Sequence, residues 1–232
     1  HFHNMTDNWS MLRETIETGK PVSLKDLPEE VDPHDLRDFI TAMHNIASVK
    51  TEDLCSKIDL TGSKALLDIA GGPGTYAIAF AKANPHLRAV VFDLGHVIKL
   101  TRQFIKAAHV EDRVTTQAGN CLEDTFGKNE YDAILVSNLL HIYNPANNTM
   151  ILRKCWDALK DGGQAIIHEF VLDETRTHPQ FAALFSLNML IGTQEGASYS
   201  GAEYREWLVD SGFKDVKRID LESNSTLIIG KK

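Results

Sequence analysis

Apolar residues recur along the chain at two different spacings, and the switch between them divides it. Trp9, Leu12 and Ile16 follow one another at helical intervals after Thr6 and Asp7, two candidate N-caps, and the run stops at Gly19-Lys20-Pro21. After a stretch holding Pro21, Pro28 and Pro33, the positions Leu36, Phe39, Ile40, Met43, Ile46 and Ala47 draw the apolar stripe of one long helix reaching about Cys55. Residues 1–60 therefore read as a helical segment.

From Lys64 onward the spacing shortens. Apolar runs of strand length are expected at 65–69, 89–92, 114–117, 133–137, 165–171, 216–221 and 226–229, with helices at 75–83, 97–109, 146–159, 179–191 and 201–211. Strands alternating with amphipathic helices build a parallel sheet through right-handed crossovers, so residues 61–232 form an α/β domain of Rossmann-like type. Only Ser223-Asn224-Ser225 separates the last two runs, and so short a connection forces them antiparallel. A mostly parallel seven-stranded sheet that ends in an antiparallel hairpin is unusual for a nicotinamide-binding fold.

Composition narrows the partners. With 24 Lys and Arg against 32 Asp and Glu, a net charge of −8, the chain lacks the basic footprint of a nucleic-acid binder. No apolar run approaches the ~18 residues that span a bilayer, and the opening His1-Phe2-His3-Asn4 is unlike a signal peptide, which together read as a cytoplasmic protein without membrane contact. Cys55, Cys121 and Cys155 have no C-x-x-C spacing and read as free thiols. A start on His rather than Met suggests that further sequence precedes it.

After the first strand comes Asp68-Ile69-Ala70-Gly71-Gly72-Pro73-Gly74-Thr75, a glycine turn leading straight into a helix. Without Cβ atoms at Gly71, Gly72 and Gly74 the backbone can pass close to a ligand, and the helix N-terminus offers unpaired N–H groups. A plain strand-to-helix turn is the plainer alternative. Asp93 ends the second strand, where a carboxylate accepts hydrogen bonds from both hydroxyls of a ribose; a solvated helix cap is its bland counterpart. The turn lacks G-x-G-x-x-G spacing and a P-loop Lys, and Asp68 would repel a pyrophosphate while suiting the cationic amino-acid end of S-adenosylmethionine (SAM).

The run from Leu66 to Gly74, followed by Phe92-Asp93-Leu94-Gly95-His96-Val97-Ile98, resembles the class I SAM methyltransferases of the small-molecule O-methyltransferase family, which includes plant caffeic acid and acetylserotonin O-methyltransferases. The resemblance runs from about Trp9 to the C-terminus. It implies a cofactor crevice lined by Asp68, Ala70, Gly71, Gly72, Gly74, Asp93, Leu94, Asn120, Cys121, Ser137, Asn138 and Tyr143, with S-adenosylhomocysteine (SAH) as product. Ala70 replaces the family's usual first glycine. Asn120 stands where relatives carry an Asp facing the adenine amino group; its amide oxygen can still accept, without the charge.

The resemblance further makes His141 the general base and Glu169 its acidic partner. The chemistry agrees, since an imidazole of ordinary pKa near 6.5 can take a hydroxyl proton while a sulfonium needs no activation. Relatives carry a second acidic residue that maps onto Ser198, with Glu195 nearby, so a second carboxylate role is not assigned. His168 points to the opposite face of a regular strand and receives none. By resemblance the acceptor pocket is roofed by Phe39, Met43, Phe185, Asn188, Met189 and Thr193, although Met and Phe at helical spacing also serve plain cores and Asn188 could equally face solvent.

No metal-ligand spacing occurs, and neither the acidic cluster of metal-dependent catechol methyltransferases nor the aromatic tetrad of base-modifying enzymes follows the fourth strand. The expected function is methyl transfer from SAM to the hydroxyl of a small, aromatic acceptor. Transfer to nitrogen, sulfur or carbon, a nicotinamide oxidoreductase and a non-catalytic SAM-binding module are the rivals. The family's N-terminal dimerisation domain would precede this chain, making the intact protein a homodimer.

Overall fold

A computed structural model of the chain describes residues 9–21 and 32–232. The N-caps expected at Thr6 and Asp7, and most of the proline-bearing stretch that follows the first helix, lie outside the described residues. Helix α1 (Leu12–Thr18) ends where Gly19 turns left-handed (φ +66°) and its N–H bonds back to Thr15 O. Helix α2 (Pro33–Ser48) starts on Asp32, whose side chain accepts from His34 N, with Pro33 in the first turn where its missing N–H costs nothing.

The single long helix expected to reach Cys55 is in fact two, α2 and α3 (Thr51–Lys57). Ser48 Oγ bonds back to His44 O and Thr51 Oγ1 to Ser48 O, so two hydroxyls take carbonyls at the joint. The turn at Val49-Lys50 redirects the chain so that Leu54 is wholly buried beneath the sheet.

The α/β portion runs β1 (Ala65–Ile69), α4 (Thr75–Ala83), β2 (Arg88–Asp93), α5 (Gly95–Ala107), β3 (Val114–Ala118), β4 (Tyr131–Ser137), a 3₁₀ turn (Leu140–Ile142), α6 (Pro145–Ala158), β5 (Leu159–Glu169), α7 (Gln180–Gly192), α8 (Gly201–Asp210), β6 (Lys214–Asp220) and β7 (Thr226–Lys231). All seven expected strands are present. They form one sheet in the order β3-β2-β1-β4-β5-β7-β6, with β1 to β5 parallel and β7 antiparallel to both neighbours. The one large boundary difference is β5, which begins at Leu159 rather than 165 because the polar run through Gly162-Gly163 pairs with its neighbours instead of looping.

Strand alternation sends side chains to two cores. Ile69, Ile134, Val136 and Ile167 pack against Ile151, Leu152 and Cys155 of α6 and Tyr204, Trp207 and Leu208 of α8. Leu66, Val91, Leu135 and Ile166 pack against Leu54 of α3 and Tyr76, Ala77 and Phe80 of α4. The order reverses between β1 and β4, which opens a crevice at their C-terminal ends. Leu36 and Ile40 of α2 join Val97 of α5 beside it.

Candidate active site

The glycine turn after β1 is set by close contact at Gly71 and by backbone conformation at Gly72 and Gly74. A Cβ on Gly71 would stand 2.6 Å from Asp68 Oδ2 and 2.8 Å from Val91 Cγ1. Gly74 (φ +73°) and Gly72 (φ +54°) take left-handed backbone that favours glycine. Ala70 takes it as well, at φ +53°, a conformation that glycine would adopt at lower cost. Thr101 Oγ1 of α5 holds the turn through Gly72 O at 2.6 Å, and His44 Nδ1 of α2 lies 2.8 Å from Thr75 Oγ1.

Asp93, at the tip of β2, accepts from Gly72 N at 2.8 Å through Oδ2 and from Leu94 N at 2.7 Å through Oδ1. Each oxygen keeps a lone pair, enough for two vicinal hydroxyls. Burial raises its pKa, opposed by these two N–H groups and by His96. Asp68 is 1% exposed, and neither of its carboxylate oxygens has a hydrogen-bond partner among the described residues. Burial first, and Asp93 second, push its carboxyl up to about 7, against a weaker opposing pull from the Ala77 N–H. Asn138, just beyond β4, likewise has a buried, unpartnered Oδ1. A carboxylate and an amide oxygen without donors at the ends of adjacent strands fit a ligand whose end carries cationic N–H groups.

On the adenine side expected from the resemblance, Gly119 N bonds Asp93 O at 2.9 Å, and a Cβ on Gly119 would collide with the Phe92 ring. Asn120 Oδ1 accepts from Leu122 N at 3.0 Å, Cys121 Sγ lies 3.5 Å from Tyr143 OH, and Lys154 Nζ binds the carbonyls of Cys121, Leu122 and Asp124. Lys154 thereby fixes the loop. Ser137 Oγ is engaged with His168 Nδ1 at 2.9 Å.

His141 sits in the 3₁₀ turn after β4 and is 7% exposed. Its Nδ1 lies 2.8 Å from Oε2 of the fully buried Glu169, whose Oε1 accepts from Leu140 N at 2.9 Å. With Nδ1–H donated to the carboxylate, Nε2 is left as an acceptor. Other groups clamp this turn. Asn148 Nδ2 donates to Leu140 O and Tyr143 O, Tyr199 OH donates to Tyr143 O, and Ala197 N donates to His141 O. Asn148 and Tyr199 were not singled out from the sequence. The available signal was an Asn on the apolar face of α6, one turn before Ile151 and Leu152.

Phe185 meets the His141 ring edge to face, with centroids 4.8 Å apart, and Phe170 and Phe181 continue the aromatic cluster. Asn188 and Met189 follow Phe185 by one turn of α7 and are half-buried. Thr193 commits its hydroxyl to the turn after α7, donating to Met189 O and accepting from Gly196 N. Phe39 and Met43 lie on α2, whose Ile40 reaches over Gly72. A separate cleft of about 270 Å³ among Asp59, Asp132, Asp161 and Lys231 lies at the opposite end of the sheet, and its Asp132 is already paired with Lys160. Among the described residues no three His, Cys, Asp or Glu side chains converge as a metal-ligand set, and no helix is long and apolar enough to cross a membrane.

Strand order, the antiparallel β7 and a crevice at the β1/β4 reversal define a doubly wound nucleoside-binding class of domain. Residues 26–214 match the O-methyltransferase domain family, and the chain belongs to that family. It is 34% identical over 218 residues to 3-hydroxy-5-methyl-1-naphthoate 3-O-methyltransferase of Streptomyces sahachiroi, covering 93% of this chain and 63% of the relative. It is 34% identical over 185 residues to the L-tyrosine C(3)-methyltransferase of Streptomyces lavendulae, covering 78% of this chain and 50% of that one. The structure of PigF with SAH superposes with a TM-score of 0.88 at 26% identity, covering 98% of this chain and 70% of PigF. The chain thus spans less than two thirds of the length of these curated relatives.

Proposed function

We propose that this chain is the SAM-binding, catalytic portion of an O-methyltransferase that methylates the hydroxyl of a small aromatic acceptor. The observation that carries the reading is the His141–Glu169 pair, 2.8 Å apart and edge-on to Phe185, beside a crevice that holds two unpartnered acceptors. In that crevice Asp93 would hold the ribose of SAM or SAH, Asp68 and Asn138 its ammonium, and Asn120, Cys121 and Tyr143 its adenine. When bound, SAM supplies an electrophilic methyl whose C–S bond electrons return to sulfur, leaving SAH.

The chain's own groups do the rest. Phe185, Met189 and Asn188 set the acceptor's ring, with Phe39 and Met43 from α2 on the other side. His141 Nε2 takes the hydroxyl proton as the new C–O bond forms, and Glu169 stabilises the imidazolium that results. Holding the acceptor oxygen in line with the methyl makes the encounter intramolecular, which supplies much of the rate. The naphthoate relative supports an aromatic acceptor, and PigF supports the cofactor. The tyrosine C-methyltransferase relative favours carbon as the second candidate for the acceptor atom.

The same reading includes a division near residue 60, a homodimer formed through sequence outside this chain, and a cytoplasmic location. The greater length of the relatives supports the second of these. Incubation with methyl-labelled SAM and a panel of phenols, followed by mass spectrometry, tests the function. Label on the phenolic oxygen is expected, with turnover reduced at least about a hundredfold in His141→Ala. Label on carbon or nitrogen, or full turnover in the variant, overturns it.

A further inference from the structure

His168 takes no part in the chemistry above, yet it is 1% exposed and hydrogen-bonded at both ring nitrogens. It sits on β5 between Ser137 of β4 and Leu227 of β7. Nδ1 lies 2.9 Å from Ser137 Oγ, Nε2 lies 2.8 Å from Ser225 Oγ, and Ser225 Oγ lies 2.9 Å from Ser223 Oγ. At the other end Asn138 Nδ2 donates to Ser137 Oγ at 3.3 Å.

A neutral imidazole has one donor and one acceptor nitrogen, so such a chain runs in one direction. Ser137 Oγ accepts from the Asn138 amide; where it also donates to His168 Nδ1, Nε2 bears the ring hydrogen and donates to Ser225, whereas the reverse order puts the hydrogen on Nδ1. Desolvation holds the imidazole down to about 4, so no second proton scrambles this order near neutral pH. One atom at the head of the chain remains unpartnered, Asn138 Oδ1, and the left-handed backbone of Asn138 (φ +52°), with its N–H on His168 O at 2.9 Å, fixes where that amide stands.

We propose that His168 is a positioning residue for the methyl donor: through Ser137 it orients the Asn138 amide so that Oδ1 faces the crevice as an acceptor for the donor's α-ammonium, opposite Asp68. The inference rests on the SAM reading and deepens it. It ties the C-terminal hairpin, through Ser225, to the amino-acid end of the cofactor.

The test measures the affinity of the full chain, wild type and variants, for SAH and for 5′-methylthioadenosine, which lacks the amino-acid end. His168→Phe and the milder Ser225→Ala should weaken SAH about tenfold and leave 5′-methylthioadenosine unchanged, while His168→Gln, which keeps a donor and an acceptor, recovers part of the loss. Equal weakening of both ligands, or unchanged SAH affinity, overturns the inference while leaving the SAM reading intact. If neither ligand binds the wild-type chain, the SAM reading falls and this inference with it. Nitrogen-15 NMR of the wild-type imidazole gives an independent check: an Nε2–H tautomer is expected, and an Nδ1–H tautomer would reverse the chain and overturn the proposal.

Discussion

Asp68 is the residue whose environment is least comfortable in the free protein. Its carboxyl, pushed up to about 7 by burial and by Asp93, has only the weaker pull of the Ala77 N–H to stabilise the charge. An acid whose folded pKa lies above its unfolded value favours folding at low pH, and that contribution disappears as pH rises from about 4 through about 7. Asp68→Asn should therefore be more stable than wild type at pH 8, by about 2–4 kcal/mol, with the gain shrinking toward pH 4 in denaturant titrations. Ligand affinity should move the other way. On the proposed pairing of the ionised carboxylate with the ammonium, SAH binding should tighten between pH 6 and pH 8 in the wild type and lose that slope in Asp68→Asn.

Ala70 offers a second residue-scale test, because glycine relieves its left-handed backbone. Ala70→Gly should raise stability by about 1 kcal/mol in chemical denaturation. Among single residues, Asp68 and Asp93 were singled out from their places at strand ends and His141 and Glu169 from the family resemblance, and the fold brings the last two within 2.8 Å of each other. His168 was read as roleless from its face of the strand, since its partners Ser137 and Ser225 are brought to it by the fold from other strands.

At the scale of elements, the strands were legible and the joints less so. Strand cores are set by local apolar runs, whereas the break between α2 and α3 depends on hydroxyls bonding backbone carbonyls, a competition that apolar spacing does not report. The early start of β5 depends on pairing partners contributed by β4 and the chain end. The connection between α7 and α8 matters most for function, since Ala197 N bonds His141 O and a Cβ on Gly196 would stand 2.5 Å from that same oxygen. Gly196→Ala should displace His141 and, if that residue is the base as proposed, lower kcat at least tenfold. The SAH dissociation constant should stay within about twofold, a split that steady-state kinetics and calorimetry on the same variant would resolve.

For the whole molecule, the antiparallel β7 was the most informative topological expectation, because a connection as short as the five residues 221–225 admits no crossover and so argued against a nicotinamide fold. The two cores on either face of the sheet anchor the strands whose loops line the crevice, so a ligand that fills it should stabilise the folded chain as a unit. SAH at about a hundred times its dissociation constant should add about 2.7 kcal/mol and raise Tm by about 5–10 °C, and NADH at the same concentration should leave Tm unchanged.

Calorimetric titration of the chain with SAH, repeated on Asp93→Ala, tests the central assignment most directly. One SAH per chain is expected in the wild type, and at least tenfold weaker binding once the Asp93 carboxylate is gone. A wild-type chain that takes up no SAH, or an Asp93→Ala variant that binds it equally well, would contradict it.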